Sequence, residues 1–244
     1  MKPFLLLATR AQDVAADGEY GALLRYGRLR ADQLHRLRLE RDPMPLIDLD
    51  DYSGVIVGGG PFNSSDPESS KSATQRRVEQ EIATLLDAVV DRDFPFLGAC
   101  YGVGTLGVHQ GGIIDRTYGE PIGPVVVELT PDGVADPLLA GLPRRFDALG
   151  GHKEAVRVLP PNAVLLASSS ACPVQMFRIR ANLYATQFHA ELDVPGIRQR
   201  IEVYRDHGYF EPTELDDVVQ RASSREIVHP HRIVRAFVER YARE

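Results

Sequence analysis

One stretch near the middle of the chain, residues 94–104, most constrains what this sequence folds into. An apolar run ends in the pattern Gly-x-Cys-x-Gly around Cys100 and passes directly into a segment of helical pattern. This is the layout of a nucleophile elbow, in which a buried parallel strand delivers a side chain onto a sharp turn before a helix. The helix N-terminus favours thiolate over thiol, so we expect Cys100 to be a reactive nucleophile. Alone, the pattern also fits a structural cysteine at a strand end.

Apolar strands and amphipathic helices alternate along the first part of the chain. Phe4–Ala8 and residues 55–57 are typical of buried strands, and the second of these runs into three glycines. Residues 74–91 are predicted to form a helix, because their apolar side chains recur on one face. Residues 18–29 carry a looser helical stripe, with Asp17 as a candidate N-cap. Such alternation predicts βαβ units and a parallel sheet that is covered on both faces.

The second half of the chain has a different texture. Short apolar runs separated by Pro, Gly and Asn predict antiparallel strands appended to the main sheet; these runs are residues 125–129, 146–149, 164–168 and 174–179. A further strand at residues 183–188 ends at His189. Helices are predicted at residues 197–207 and 230–243. We therefore assign residues 1–194 to one α/β domain and residues 195–244 to a C-terminal helical extension packed on it.

Composition excludes several classes of protein. The chain has 244 residues, a formal net charge of −6 and no basic cluster, which argues against nucleic-acid binding. Two cysteines are too few for a disulfide framework and favour a cytoplasmic location. The apolar N-terminal run is too short for a signal peptide, and no stretch is long enough to cross a membrane.

A second chemical motif, Gln-Phe-His-Ala-Glu at residues 187–191, supplies partners for Cys100. A cysteine nucleophile needs a base within hydrogen-bond reach, and that base needs an orienting group. His189 and Glu191 fit these two roles. Both Cys100 and His189 lie at predicted carboxyl ends of strands, the edge at which open parallel sheets place their sites. The glycines at 58–60 end a third strand there, and their amides together with the Tyr101 amide are candidates for an oxyanion hole.

In combination, these motifs resemble the class I glutamine amidotransferase family, and most of all its stand-alone members similar to the glutaminase part of GMP synthase. The resemblance rests on four motifs in order: Gly-Gly-Gly-Pro at 58–61, Gly-Ala-Cys-Tyr-Gly at 98–102, Gly-His-Lys-Glu at 151–154 and the motif at 187–191. It implies a flavodoxin-like, three-layer α/β/α fold with a mostly parallel sheet.

The resemblance also implies a chemistry. Cys100 would form a γ-glutamyl thioester from glutamine and release ammonia, His189 would move protons, and Glu191 would orient it. Gly59 or Gly60, with Tyr101, would form the oxyanion hole. No cofactor and no metal are implied. The chain lacks a phosphate-binding loop, so we expect the ammonia acceptor to be a separate synthetase subunit. The sequence does not decide whether the protein forms a homodimer. It also does not decide whether the C-terminal helices form a dimer surface or a lid.

One departure from the family pattern bears on the substrate. The family usually reads Gly-x-Cys-x-Gly-x-Gln, where the Gln helps to hold glutamine, but Gly104 stands at that position. Thr105 and Gln110 are candidate substitutes, and His152 is a candidate contact to the substrate or to a partner surface. A smaller departure is Ala190, where the family often has Pro.

Two alternatives to a glutaminase therefore stay open. The same triad can serve a free-standing hydrolase of γ-glutamyl amides or peptides, a reading that the missing Gln favours. A catalytically weak regulatory subunit that keeps the fold is the other alternative. Cys172 is expected to be a packed structural thiol rather than a second nucleophile.

Overall fold

The computed structural model describes residues 1–206, 208 and 210–244. Eleven strands and seven α-helices are found among them. The strands are β1 Phe4–Ala8, β2 Leu34–Arg38, β3 Gly54–Val57, β4 Phe96–Ala99, β5 Ile113–Asp115, β6 Glu120–Leu129, β7 Arg145–His152, β8 Ala155–Val158, β9 Ala163–Ser168, β10 Met176–Ile179 and β11 Leu183–Thr186. The helices are α1 Asp13–Gly27, α2 Ala73–Asp91, α3 Tyr101–His109, α4 Pro131–Ala135, α5 Val194–Val203, α6 Leu215–Ala222 and α7 His231–Tyr241.

Nine of the strands form one mixed sheet in the order β2-β1-β3-β4-β11-β10-β9-β6-β7. The first five strands in this order run parallel to one another. The remaining pairings, from β11–β10 to β6–β7, are antiparallel. The predicted mostly parallel sheet with antiparallel additions is therefore confirmed. Because β3, β4 and β11 are parallel neighbours, their carboxyl ends meet at one edge of the sheet.

Helices cover both faces of the sheet, as a three-layer α/β/α fold requires. Successive side chains of a strand point to opposite faces, and β1 shows both layers. Phe4 and Leu6 pack with residues of α1 and α7, whereas Leu5 and Leu7 pack with residues of α2 and α3. All four side chains are fully buried. This two-sided burial explains why β1 is apolar at every position instead of alternating with polar residues.

Several element boundaries differ from those expected. Helix α1 begins at Asp13, after Gln12, so Asp17 lies inside the helix and is not its N-cap. The Asp17 carboxylate instead accepts a hydrogen bond from Arg36 Nη1 at 2.8 Å. The apolar stripe of α1 is weak because its first turns are rich in alanine and charged residues, which hides the helix start from a periodicity argument.

The C-terminal helices also differ in extent. The helix expected over residues 197–207 is α5, which ends at Val203, and His207 lies outside the described residues. Helix α6 has no counterpart among the predicted helices. Helix α7 packs on the main sheet, with the ring of Phe237 centred 5.7 Å from that of Phe4. The division at residue 194 stays a prediction.

Candidate active site

Cys100 occupies the sharp turn between β4 and α3. Its backbone has φ 52° and ψ −91°, a conformation that is costly for a residue with a side chain. The Cys100 amide donates a hydrogen bond to Thr186 O at 2.8 Å, which joins the turn to the end of β11. The flanking glycines are required here, because a Cβ on Gly98 would lie 2.8 Å from the backbone of Gly102. The geometry is that of the predicted elbow.

His189 and Glu191 lie just beyond the end of β11. The His189 amide donates to Leu149 O at 2.9 Å, which anchors this segment beside β7. His189 Nδ1 lies 2.9 Å from Glu191 Oε1, and both side chains are buried. With its proton on Nδ1, the imidazole donates to Glu191 and leaves Nε2 free as a proton acceptor.

A single cleft brings Cys100 and His189 together at the carboxyl edge of the sheet. Its walls also include Gly60 from the β3 loop, with Gly150 and Gly151 from β7. Apolar and polar side chains complete the lining; these are Arg10, Ile122, Leu192, Ile197, Arg200 and Tyr204. The cleft has a volume of about 50 Å³, well below the roughly 300 Å³ at which ligand pockets begin.

The backbone amides near Cys100 are not equivalent. Gly59 N donates to the buried carboxylate of Glu19, with a distance of 3.2 Å to Oε1. Among the described residues, nothing accepts a hydrogen bond from Gly60 N or Tyr101 N. The amide of Gly59 is thus occupied, and the oxyanion role of Gly60 and Tyr101 stays a prediction.

Gly59 is required for a different reason, because the backbone here passes close to the side chains of His189 and Arg10. A Cβ at this position would lie 2.5 Å from His189 Cε1 and 2.7 Å from Arg10 Nη2. Only glycine lets the β3 loop pass this near to the imidazole.

A buried network of charged side chains surrounds His189 and Glu191, and sequence reasoning missed it. Arg200 Nη2 donates to Glu191 Oε1 at 2.9 Å, and Arg200 Nη1 lies 3.2 Å from His189 Nδ1. Arg10 Nε donates to Glu19 Oε1 at 3.1 Å. Arg200 Nη2 lies 3.6 Å from that same Glu19 oxygen, which links the two arginines. No sequence motif marks these residues, because they come from the loop after β1, from α1 and from α5.

Burial dominates the electrostatics of the nucleophile. It raises the pKa of the Cys100 thiol to about 12, and the charges of Glu154 and Glu191 add to that rise. Arg10 and Arg200 oppose it only in part. Burial therefore opposes the thiolate that the helix N-terminus was expected to favour.

The histidine is shifted in the opposite sense. Burial lowers the pKa of His189, Arg200 adds to this effect, and Glu191 opposes it. Burial alone would raise the pKa of Glu191, but His189 and Arg200 hold it well below its usual range. These shifts favour a neutral thiol and a neutral imidazole beside an ionised carboxylate.

The space beside Gly104 is already occupied by other side chains. A Cβ at this position would lie 2.5 Å from Ser64 Oγ and 2.8 Å from Glu154 Oε1. The Glu154 carboxylate is held there by hydrogen bonds from the amides of Ser64 and Ser65, at 2.8 Å and 2.7 Å. Burial raises the pKa of Glu154. The Glu154 carboxylate and Ser64 thus occupy the space into which a side chain at position 104 would extend.

The three other candidate substrate contacts do not line the Cys100 cleft. Thr105 donates to Gly102 O at 3.1 Å and borders a different groove, between α2 and α3. Gln110 follows the end of α3, with Nε2 2.8 Å from His109 Nδ1. His152 is buried, with Nε2 2.9 Å from Glu120 Oε2 and Nδ1 2.8 Å from Glu154 O. Their roles in binding stay predictions.

The second cysteine belongs to a separate buried cluster. The ligand atoms of Glu120, His152 and Cys172 lie within 4.8 Å of one another, and this set is the group within the described ranges that could hold a metal ion. Each group already has protein partners, since Gln175 Nε2 donates to Glu120 at 2.6 Å and Cys172 Sγ to Val174 O at 3.4 Å. Cys172 is fully buried, and burial raises its thiol pKa to about 12.

Comparison with known proteins identifies the family. The family model for glutamine amidotransferase class-I matches residues 21–201, which is most of the chain. The chain belongs to the class I glutamine amidotransferase family. This confirms the predicted family membership and the predicted class of enzyme, a glutamine amidotransferase.

Curated relatives include both long and short proteins. The glutamine-hydrolyzing GMP synthase of Thermomicrobium roseum is 32% identical over 139 residues, which cover 57% of this amidotransferase chain but 23% of that protein. A protein of Thermoplasma volcanium, named as one subunit of a glutamine-hydrolyzing GMP synthase, is 31% identical over 147 residues, covering 59% of this chain and 65% of that protein. The matched part thus spans less than two thirds of either relative.

Solved structures share the fold over nearly the whole amidotransferase chain. A glutamine amidotransferase from Thermotoga maritima superposes with a TM-score of 0.78 at 21% identity, covering 99% of this chain and 98% of that one. One from Methylobacillus flagellatus gives a TM-score of 0.71 at 20% identity, covering 99% and 94%. Within the described parts of the chain, no helix combines the length and apolar character needed to span a bilayer.

Proposed function

We propose that this amidotransferase hydrolyses the side-chain amide of glutamine and releases ammonia through a thioester on Cys100. The observation that carries the proposal is the cleft shared by Cys100 and His189, with His189 Nδ1 2.9 Å from the ionised Glu191. Membership of the class I glutamine amidotransferase family supports the same chemistry.

The proposed reaction begins with proton transfer from Cys100 to His189 Nε2. The sulfur then attacks the amide carbon, and the oxygen takes up negative charge beside the amides of Gly60 and Tyr101. Collapse of this intermediate breaks the C–N bond, while the imidazolium gives its proton to the departing nitrogen, which leaves as ammonia. His189 then deprotonates water, which attacks the thioester and breaks the C–S bond to give glutamate, and the imidazolium returns its proton to the sulfur. Glu191 stabilises the imidazolium in both halves of the reaction.

The decisive experiment is ammonia release from glutamine by matched cysteine variants. Cys100→Ala is expected to abolish release, whereas Cys172→Ala is expected to retain it, because Cys172 lies outside the cleft. Equal rates for Cys100→Ala and the parent protein would overturn the proposal.

The proposed destination of the ammonia is a separate synthetase chain. Support comes from the relatives, since the T. roseum protein extends far beyond its match and the T. volcanium protein is named as one of the subunits of its enzyme. Ammonia release by this chain is expected to rise when its cognate synthetase chain is added. If no synthetase chain of the same genome changes the rate of ammonia release, the proposed acceptor is contradicted. The proposed hydrolysis of glutamine would not be affected by that result.

Gly104 favours a second candidate, a hydrolase of γ-glutamyl amides or peptides. The residue that usually clamps glutamine is absent, and Ser64 and Glu154 fill its place. Rates of ammonia or amine release from glutamine and from a panel of γ-glutamyl amides separate the two candidates. A panel member that exceeds glutamine in kcat/KM by about tenfold or more would favour the hydrolase.

A further inference from the structure

Arg10 is a buried cation in the wall of the candidate active site. It follows β1 by two residues, only 5% of its surface is exposed, and it lines the cleft together with Cys100, Gly60 and His189. No motif singled it out in the sequence. A charged side chain this deeply buried needs partners that compensate for the loss of hydration.

The partners of Arg10 fix its guanidinium group but leave part of it unused. Nε donates to Glu19 Oε1 at 3.1 Å, and Nη1 donates to Tyr204 OH at 3.2 Å. Nη2 has no acceptor among the described residues, and it lies on the same side of Gly59 as the His189 ring. Two oriented N–H donors are therefore held beside the reacting groups.

Arg10 shares its carboxylate partner with other donors. Glu19 Oε1 also accepts from Gly59 N and lies 3.6 Å from Arg200 Nη2, so one carboxylate oxygen serves three donors. A planar guanidinium with free N–H groups is the side chain best suited to bind a carboxylate. Gly104, by contrast, offers no side chain, and its surroundings contain the Glu154 carboxylate, which repels anions.

We infer that Arg10 binds a carboxylate on the acyl part of the substrate, and so takes over the clamping role that Gly104 lacks. In glutamine this group is the α-carboxylate. The inference rests on the proposed function for the identity of the substrate, but the presence of an anion-binding donor beside Cys100 is testable without any turnover.

The test that needs no turnover is selective alkylation of Cys100. 5-Iodopentanoate and 5-iodopentanamide alkylate sulfur by the same displacement of iodide, and only the first carries a carboxylate at the distance that the α-carboxylate of glutamine has from its amide carbon. Rates at Cys100 are measured by peptide mass spectrometry. Arg10→Gln is expected to lower the ratio of the carboxylate to the amide rate by about tenfold, as for loss of one charged hydrogen bond. The control Arg198→Gln, an exposed position on α5, is expected to leave the ratio unchanged.

Turnover gives a second readout. Glutamine is compared with 4-aminobutanamide, which has the same amide but lacks the α-carboxylate. Arg10→Gln is expected to lower kcat/KM for glutamine by about 10- to 100-fold, mainly through KM, and to change that for 4-aminobutanamide less than about twofold. Arg10→Lys, which keeps the charge, is expected to recover part of the loss.

The outcomes separate this inference from the proposed function. An unchanged alkylation ratio, or equal losses on both amides, would overturn the role of Arg10. A changed ratio in a protein that releases ammonia from neither amide would support the anion site and contradict the glutaminase. If Arg10→Gln fails to fold because Glu19 is left unpaired, the double variant Arg10→Gln/Glu19→Gln removes both charges and gives the same two ratios.

Discussion

Arg200 Nη2 lies 2.9 Å from Glu191 Oε1, the same oxygen that faces His189 Nδ1. The guanidinium therefore stabilises the ionised form of Glu191 and disfavours a second proton on the imidazole. Because Arg200 touches both the proposed base and its orienting group, it positions them and tunes their protonation.

Arg200→Gln is expected to move the acid limb of the pH profile of kcat/KM to higher pH. Arg200 lowers the pKa of His189, so its loss raises that pKa, and the neutral base then requires a higher pH. Wild type is expected to keep its acid limb below the ordinary histidine value of about 6.5. The profile is measured from mildly acidic to mildly alkaline pH, with Arg198→Gln as the control on the same helix. An unmoved limb in folded Arg200→Gln would refute this role.

Gly59→Ala is expected to reduce kcat by about 100-fold or more, as for a misplacement of roughly 1 Å in a catalytic group. The new methyl group would lie 2.5 Å from His189 Cε1, so the imidazole must move. Steady-state kinetics measure the loss, and circular dichroism checks the fold. Gly21→Ala is the matched control, because a Cβ at this position in α1 has open space. Activity close to that of wild type would contradict the close approach.

Gly104→Gln, which installs the usual family residue, is expected to impair the protein. The Cβ atom of the new side chain would already lie 2.5 Å from Ser64 Oγ and 2.8 Å from Glu154 Oε1. We expect the free energy of unfolding to fall by about 1–3 kcal/mol, as for other overpacked sites. Urea unfolding measures this change. A variant as stable as wild type, with a lower KM for glutamine, would contradict this prediction. It would show that Ser64 and Glu154 can move aside for a Gln side chain that binds the substrate.

Glu191→Gln is expected to lower the free energy of unfolding at neutral pH. It is also expected to weaken the dependence of that free energy on pH in the acid range. The native pKa of Glu191 is depressed, so its ionised form contributes stability above the unfolded value of about 4.3. That contribution is lost as the pH falls from there towards the native pKa. The difference in unfolding free energy between wild type and variant should therefore shrink below about pH 4. A difference that stays constant from neutral pH into this acid range is inconsistent with a depressed pKa.

Local sequence patterns predicted the strand edge at which the site lies. The elbow around Cys100 depends on two glycines close to it in sequence, and the order of strands and helices depends on burial patterns of a few residues. Both are local properties. Strands β6, β7, β9, β10 and β11 were predicted in this way, although β6 and β7 are longer than the apolar runs that mark them. The short strands β5 and β8, which pair with each other in a separate sheet, were missed.

The sequence could not reveal the surroundings of His189. Arg10 and Glu19 are nine residues apart, but Arg200 is far from both in the sequence. The three meet through the packing of α1 and α5 against the sheet edge. Their charges resemble those of ordinary surface residues in the sequence. The filling of the Gly104 space by Glu154 was hidden for the same reason, because it requires the loop after β3 to fold back towards the end of β7.

The chemistry proposed for this amidotransferase depends on attack by the Cys100 sulfur at the side-chain carbonyl region of a glutamine-shaped substrate. The direct measurement is peptide mass spectrometry after incubation with a diazoketone analogue of glutamine, which alkylates the attacking sulfur with loss of nitrogen. We predict one adduct, located on Cys100 in the wild type and in Cys172→Ser, and no adduct in Cys100→Ser. An adduct on Cys172, or an unmodified Cys100 in the wild type, would contradict the proposed chemistry.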